Sequence, residues 1–221
     1  MLVSQYIIRS IPELNGDNPL AEVFREDYPE DVQFAPVLQE GKFIGFLNLE
    51  NLEIEKESKS TVSQCELELV SVRITESQHI FEVIPLFVKT GINLLPVSNE
   101  EGELEGYISQ ASVNEVIGET HAFQTEGGVL VLTVPAIHYS LSEISRLVEA
   151  NQAKILAVLL ESDPALNQNY LVHLKINQPD LSRIVATLER FEYHVLEVHQ
   201  TMDASSLDKD RFDQLMRYLG I

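Results

Sequence analysis

A stretch of about sixty residues occurs twice in this chain, and that duplication constrains the fold more than any other feature. Residues 34–47 read FAPVLQEGKFIGFL, and residues 94–108 read LLPVSNEEGELEGYI. Pro36-Val37 returns 60 positions later as Pro96-Val97. Upstream, Leu20, Glu22 and Val23 return at the same offset as Ile80, Glu82 and Val83. Gly41 and Gly45 return at an offset of 61 as Gly102 and Gly106, so one residue is inserted between the proline and the first glycine. A tight turn absorbs extra length at least cost. A lone unit of this size buries only about 60% of its unfolded surface, so the two copies are expected to pack as one composite domain.

Each copy reads as helix, strand, hairpin, strand, helix. VSQYII (3–8) is expected to form a short strand. Asn18 is a helix N-cap with Pro19 at the first helical position, and Leu20, Val23 and Phe24 share one face. EDYPED is an acidic turn, and the strands QFAPVL and KFIGFLNL follow, with Gly45 admitting a second backbone at close range. LENLEI closes the first copy as a short helix, and EKESKSTVSQC (55–65), polar and aperiodic, reads as a linker. The strand LELVSV opens the second copy. Its helix places Ile80, Val83, Ile84 and Phe87 together, with a bend or early break expected at Pro85. GINLLPVS and ELEGYIS are strands, and QASVNEVIG is a closing helix ended by Gly118.

After a second linker, GETHAFQTEGG (118–128), the rhythm changes. VLVLTVPA is a strand. SLSEISRLVEAN is a helix with Ser140 as N-cap and Glu143 completing a capping box. KILAVLLES, YLVHLKIN and YHVLEVHQ are strands, DPALNQN is a hairpin connection, and Asp180 caps the helix LSRIVATLERF. Tyr170, Val172, Leu174 and Ile176 alternate onto one face. The order β-α-β-β-α-β is the ferredoxin-like arrangement. The tail places Phe212, Leu215, Met216 and Leu219 at helical spacing, as an amphipathic helix that docks on its own domain or a sister subunit.

Charge narrows the partners. A net −20, from 35 acidic and 15 basic residues, leaves no basic cluster to neutralise phosphates, so neither nucleic acid nor an anionic membrane is an expected partner. No apolar run approaches the ~20 residues of a membrane span, and MLVSQYIIRS lacks the pattern of a signal peptide. Cys65 stands alone, which excludes a disulfide framework and a Cys-based metal site. The expected compartment is the cytoplasm.

The twice-occurring pattern of an apolar residue, Pro-Val, four or five residues, Gly, three residues, Gly and two apolar residues resembles the core of the CBS domain. CBS domains occur as pairs that form a flattened module with clefts between the copies. The C-terminal stretch is similar to an ACT domain, and a CBS pair followed by an ACT-like domain resembles the acetoin-utilisation-type regulatory proteins of bacteria. The resemblance implies an α+β fold: a first repeat over 1–58, a second over 63–119, an ACT-like ferredoxin-fold domain over 127–202 and a C-terminal amphipathic helix over 203–221. It also implies a homodimer formed through the CBS pair.

Adenosine-binding CBS motifs continue after the second glycine with two apolar residues, Ser or Thr, two residues and Asp. The Asp accepts from ribose hydroxyls and the Ser/Thr holds phosphate at a helix start. The first copy here reads GFLNLEN and the second GYISQAS. Ser109 matches the hydroxyl position and Asn48 replaces it in the first copy, while the Asp position holds Asn51 and Ser112. These four are the candidate ligand-binding residues. An adenine nucleotide is a possible ligand that the two missing carboxylates argue against. Phosphates also want cationic partners; Arg9 and Arg73 are the ones at hand, and surface charge is their simpler reading. The ACT-like part has His138, Tyr139 and Ser140 where that family has glycine after its first strand, so the usual amino-acid position is expected to be filled.

Nothing in the sequence points to catalysis. No metalloprotease, P-loop, nucleophile-elbow or dinucleotide motif occurs. The six histidines are scattered; His194 and His199, an odd number apart on one strand, are expected on opposite faces, and His173 and Lys175 toward solvent. The chain therefore reads as a non-enzymatic, ligand-sensing regulator that takes a small metabolite or adenosyl ligand in its CBS cleft and signals through its dimer. The alternative is a dimerising scaffold that has lost its ligand. No cofactor or metal is assigned.

Overall fold

The computed structural model describes residues 1–25, 28, 32–50, 60–70, 72–163 and 168–200. The EDYPED turn, all but the start of LENLEI, residues 55–59 of the first linker, the middle of the DPALNQN connection, Asn51 and the C-terminal amphipathic helix lie outside or largely outside those residues. The chain divides into two units, Met1–Gly118 and Glu119–Ile221. It has the α+β class expected from the sequence. Among the described residues no helix is long and apolar enough to cross a membrane.

The first unit holds two near-twin sheets. In one, β1 (Leu14–Asn15) runs parallel to β2 (Phe34–Gln39), which turns antiparallel into β3 (Lys42–Asn48) and then β4 (Leu67–Glu68). In the other, β5 (Ile74–Thr75) runs parallel to β6 (Leu94–Ser98), which turns into β7 (Leu104–Ser109). Equivalent residues occupy equivalent registers: Leu14 faces Val37 as Ile74 faces Val97. The register slips between Val37 and Leu38 and again between Val97 and Ser98. Phe46 and Tyr107, matching positions of the two hairpins, meet edge-to-face with ring centroids 6.3 Å apart, in a core that draws on both copies.

The copies exchange their opening segments. Val3–Gln5 and Val62–Gln64, both Val-Ser-Gln, form short 3-10 turns, each closed by its glutamine carbonyl accepting from the backbone N–H of Leu2 or Thr61. The N–H groups of Val3 and Ser4 donate to the carbonyls of Gln78 and Glu76 in the second copy. Those of Val62 and Ser63 donate to Asn18 and Gly16 in the first. Likewise β4 edges the first copy's sheet, while Ile8 bridges Tyr107 of the second. Val3 and Val62 are fully buried, each in the other copy's core. Two expectations change here. Residues 3–8 are not a strand, and residues 61–65 are not a free linker but the second copy's counterpart of the N-terminal segment.

The glycines make this exchange possible. A Cβ on Gly45 would sit 3.1 Å from the Glu68 carbonyl oxygen, which bears out the close approach expected there; at Gly106 it would lie 2.7 Å from that of Ile8.

The helices depart from expectation in detail. Pro19 forms a bridge with Thr61, and a 3-10 helix, Leu20–Arg25, starts after it with Leu20 and Val23 buried. Helix α1 (Ile80–Thr90) runs through Pro85 without a break and ends at Gly91 in the left-handed region. Pro85 is exposed, so water can serve the carbonyl that the proline leaves without a donor. The closing helix α2 (Gln110–Gly118) follows β7 directly.

The second unit begins with a short helix α3 (His121–Gln124), followed by β8 (Gly128–Pro135), α4 (Leu141–Glu149), β9 (Ile155–Ser162), β10 (Asn169–Ile176), α5 (Ser182–Arg190) and β11 (His194–His199). The sheet order β11-β8-β10-β9, antiparallel at every pairing, is that of a ferredoxin-like βαββαβ fold. Val172, Leu174 and Ile176 are buried with Ile144, Leu147, Ile184 and Leu188 of the helices. Ser140 caps α4 by accepting from the Glu143 N–H, but the Glu143 carboxylate accepts instead from the Tyr193 hydroxyl, leaving the box half-formed. Asp180 accepts from the Ser182 N–H, which holds its carboxyl below the usual range. A register shift between Val195 and Glu197 overturns the reading of the histidines. His194 pairs with Thr133 and His199 with Val129, four residues apart on β8, so both histidines face the same side.

Candidate functional site

Of the four sequence-nominated residues, the fold brings two together. Ser109 ends β7, 5% exposed, and Ser112 lies in the first turn of α2. The Ser112 N–H donates to Ser109 Oγ at 3.0 Å, and the two hydroxyls are 2.8 Å apart. Ser109 thus caps α2 as an N-cap residue does, satisfying one of the helix's unpaired donors. Asn48 holds the matching place at the end of β3, where its Oδ1 accepts from the Glu50 N–H at 2.9 Å. Asn replaces Ser without loss because both side chains offer an acceptor to the backbone just ahead. Asn51 lies outside the described residues.

A larger concavity opens elsewhere, at the hairpin turns. It encloses about 800 Å³. The two copies line it with corresponding residues: Leu38 and Ser98, Gly41 and Gly102, Lys42 and Glu103, Phe43 and Leu104, Glu13 and Arg73. Its floor is apolar, through Phe43, Leu104, Val70, Val72 and Pro96, and Glu40 and Glu101 add to its rim. Of the described nominated residues, Asn48, Ser109 and Ser112, none lines it. Sequence comparison of the copies passes over this groove because its matched positions carry unlike side chains, Glu13 against Arg73 and Lys42 against Glu103.

The electrostatics of the groove are lopsided. Four carboxylates, Glu13, Glu40, Glu101 and Glu103, face two cations. Arg73 Nη2 donates to the carbonyls of Asn99 and Glu100 at 3.2 and 3.0 Å, pinning the β6–β7 turn. Glu13 accepts from the Tyr107 hydroxyl at 2.8 Å, and burial, reinforced by this bond, raises the Tyr107 phenol well above its usual range. Arg9, the other basic candidate, pairs with Glu105 at 3.6 Å on an exposed surface.

In the second unit, a hollow of about 360 Å³ lies between the segment after β8 and the α5–β11 turn, lined in part by Thr133, His138, Glu143 and Tyr193. Ala136–His138 coils into a 3-10 turn beside it, with His138 on the lining and Ile137 turned outward, 87% exposed. Burial, with the bond to Glu143, pushes the Tyr193 phenol up to about 12.

Residues 70–119 match the CBS domain family. An uncharacterised protein of Methanocaldococcus jannaschii is 22% identical over 220 residues, covering 98% of this chain and 81% of its own length. A CBS domain pair/ACT domain protein from Thermotoga maritima is similar in structure at 23% identity, with a TM-score of 0.47, covering 54% of this chain and 98% of that one. The CBS domains of a transcriptional regulator from Streptococcus pneumoniae are similar at 15% identity and a TM-score of 0.44, covering 52% and 98%. The matched stretch is the second copy of the repeat, so the chain contains a CBS domain there, and the first copy precedes it in the same unit.

Proposed function

We propose that this protein is a non-catalytic, ligand-responsive regulator, in which a small molecule held by the CBS pair biases the arrangement of a homodimer. The observation that carries this reading is the groove of about 800 Å³ lined by matched residues of both copies. A ligand there contacts both halves at once, so its binding energy depends on how they are disposed, which is the differential affinity a switch requires. The size falls within the ~300–1,000 Å³ of small-molecule sites.

Charge selects the ligand class. Four carboxylates on the lining disfavour a phosphate, and Arg73 is engaged by backbone carbonyls. Ser109 is committed to capping α2 and Asn48 to the Glu50 N–H, and no carboxylate stands at either ribose position. A neutral or cationic metabolite with an apolar body therefore fits better than an adenine nucleotide. The same internal satisfaction of Ser109, Ser112 and Asn48 favours the second reading, a dimerising scaffold without ligand.

Thermal unfolding of the chain with adenosine, S-adenosylmethionine, AMP and ATP, each at millimolar concentration, separates the readings. The uncharged or sulfonium-bearing probes are expected to raise the midpoint and the nucleotides to leave it unchanged. A ligand at a hundred times its Kd stabilises by about 2.7 kcal/mol. A larger shift with ATP than with adenosine overturns the charge argument, and no shift with any probe favours the scaffold.

A further inference from the structure

Tyr107 ties together two residues that line the groove at the hairpin turns. Its hydroxyl donates to Glu13 Oε1 at 2.8 Å, and its ring stands edge-on to Phe43 with centroids 6.5 Å apart. Glu13 and Phe43 line the groove from the first copy, whereas Tyr107, buried at 1% exposure, comes from the second. Burial, with the bond to Glu13, holds the Tyr107 phenol well above its usual range, so it remains a donor. That bond engages one carboxylate oxygen and leaves Oε2 for an occupant. The other lining carboxylates are placed differently. Glu103 accepts from the Asn99 side-chain amide at 3.1 Å, and Glu40 and Glu101 stand exposed on the two hairpin turns.

We propose that Glu13 and Phe43, both fixed by Tyr107, form the corner of the groove that recognises an organic ammonium group, so that its ligand is an amine with an apolar body. A carboxylate beside an aromatic ring offers a cation a charged acceptor and a π-system together. A neutral ligand makes full use of neither. An anion would need a cation free to meet it, and Arg73 is already held by the Asn99 and Glu100 carbonyls. The apolar floor, through Leu104, Val72 and Pro96, takes the body of the ligand. An occupant that draws the Glu13 carboxylate toward itself competes with the Tyr107 hydroxyl, whose bond to Glu13 joins the two copies. Recognition of the charge and the disposition of the copies are therefore one event. This inference rests on the groove being the ligand site of the proposed function, and narrows the neutral or cationic class given there to the cation.

Amide NMR titration of the full chain with phenethylamine, phenethyl alcohol and phenylacetate, at about pH 7 and about 0.15 M salt, tests it. The three probes share an apolar body and differ in charge. Phenethylamine is expected to shift the amides of residues 40–43 and 101–104 and to bind at least about tenfold tighter than the alcohol, with phenylacetate weakest. Glu13→Gln keeps an acceptor for the Tyr107 hydroxyl and is expected to bring the amine down to the level of the alcohol. Tyr107→Phe is expected to weaken the amine several-fold and leave the alcohol unchanged, whereas a merely loosened core would weaken both. Glu189→Gln, at an exposed carboxylate of the second unit, controls for the loss of one charge and is expected to change neither. Binding of the alcohol or of phenylacetate as tight as that of the amine, or an amine indifferent to Glu13→Gln, overturns the inference and leaves the groove as a ligand site. Absence of shifts in the groove with every probe overturns both.

Discussion

Placing a single methyl group on Gly106 tests whether the exchanged segments hold the two copies together. Gly106 is buried, at φ +144, and a Cβ there would lie 2.6 Å from Ile7 Cγ2 and 2.7 Å from the Ile8 carbonyl oxygen. The backbone conformation alone costs a non-glycine residue about 1–3 kcal/mol. Relieving the contact moves Ile8 away from Tyr107, with which it exchanges two hydrogen bonds of 2.7 and 3.0 Å, each worth about 1 kcal/mol net. Gly106→Ala is therefore expected to cost about 3–5 kcal/mol. For a unit of this size that lowers the melting midpoint by roughly 10–20 °C. Two other glycines calibrate it. At Gly45 the nearest atom is 3.1 Å away, and at Gly41, with φ +75, nothing lies within 4 Å. Gly45→Ala should fall between the others, and Gly41→Ala should show only the left-handed cost of about 1–2 kcal/mol. Urea denaturation followed by circular dichroism ranks the three, and amide exchange at Tyr107 locates the damage. A Gly106→Ala protein no less stable than Gly41→Ala would refute the idea that the exchanged segment is held this closely.

Two further outcomes follow from the hydrogen bonding. Ser109→Ala removes the acceptor for the Ser112 N–H and is expected to cost about 1 kcal/mol in denaturant titrations with or without ligand; a variant as stable as the wild type would remove Ser109 from its capping role. The Tyr193 phenol is pushed up to about 12 from an ordinary 10.0, so between those values the folded chain keeps a proton that the unfolded chain has lost. Its stabilising effect is complete below about pH 10 and disappears as pH rises through about 12; melting midpoints should fall less steeply over that window in Tyr193→Phe, and identical slopes would contradict the assignment.

The duplicated hairpin was legible because its constraints are local. Pro36 and Pro96 mark the same strand position, and Gly45 and Gly106 are small because another backbone passes over them. The ferredoxin-like order was legible for a similar reason, since buried Val172, Leu174 and Ile176 alternate with half-buried residues along one strand. The exchange of opening segments left a fainter mark, the tripeptide Val-Ser-Gln at residues 3–5 and 62–64. A three-residue turn has no period, and the polar company of Val62 resembles a linker until its partner is known. The β11 bulge hid the common facing of His194 and His199, because counting by twos assumes an unbroken pleat. The nominated motif led to the helix caps, whereas the groove is built from positions that the duplication left unlike.

The reciprocal trade of edges also governs the order in which this molecule can be completed. During synthesis Ile8 emerges early, but Tyr107, its bridging partner, follows about a hundred residues later, a wait of roughly 5–20 s at ~5–20 residues per second. The first copy alone would be a half-chain whose core lacks Val62 and whose own opening segment has no place to dock. Two such half-chains could supply each other's missing edge, so a strand-exchanged pair of separate polypeptides is the natural antecedent of this single one.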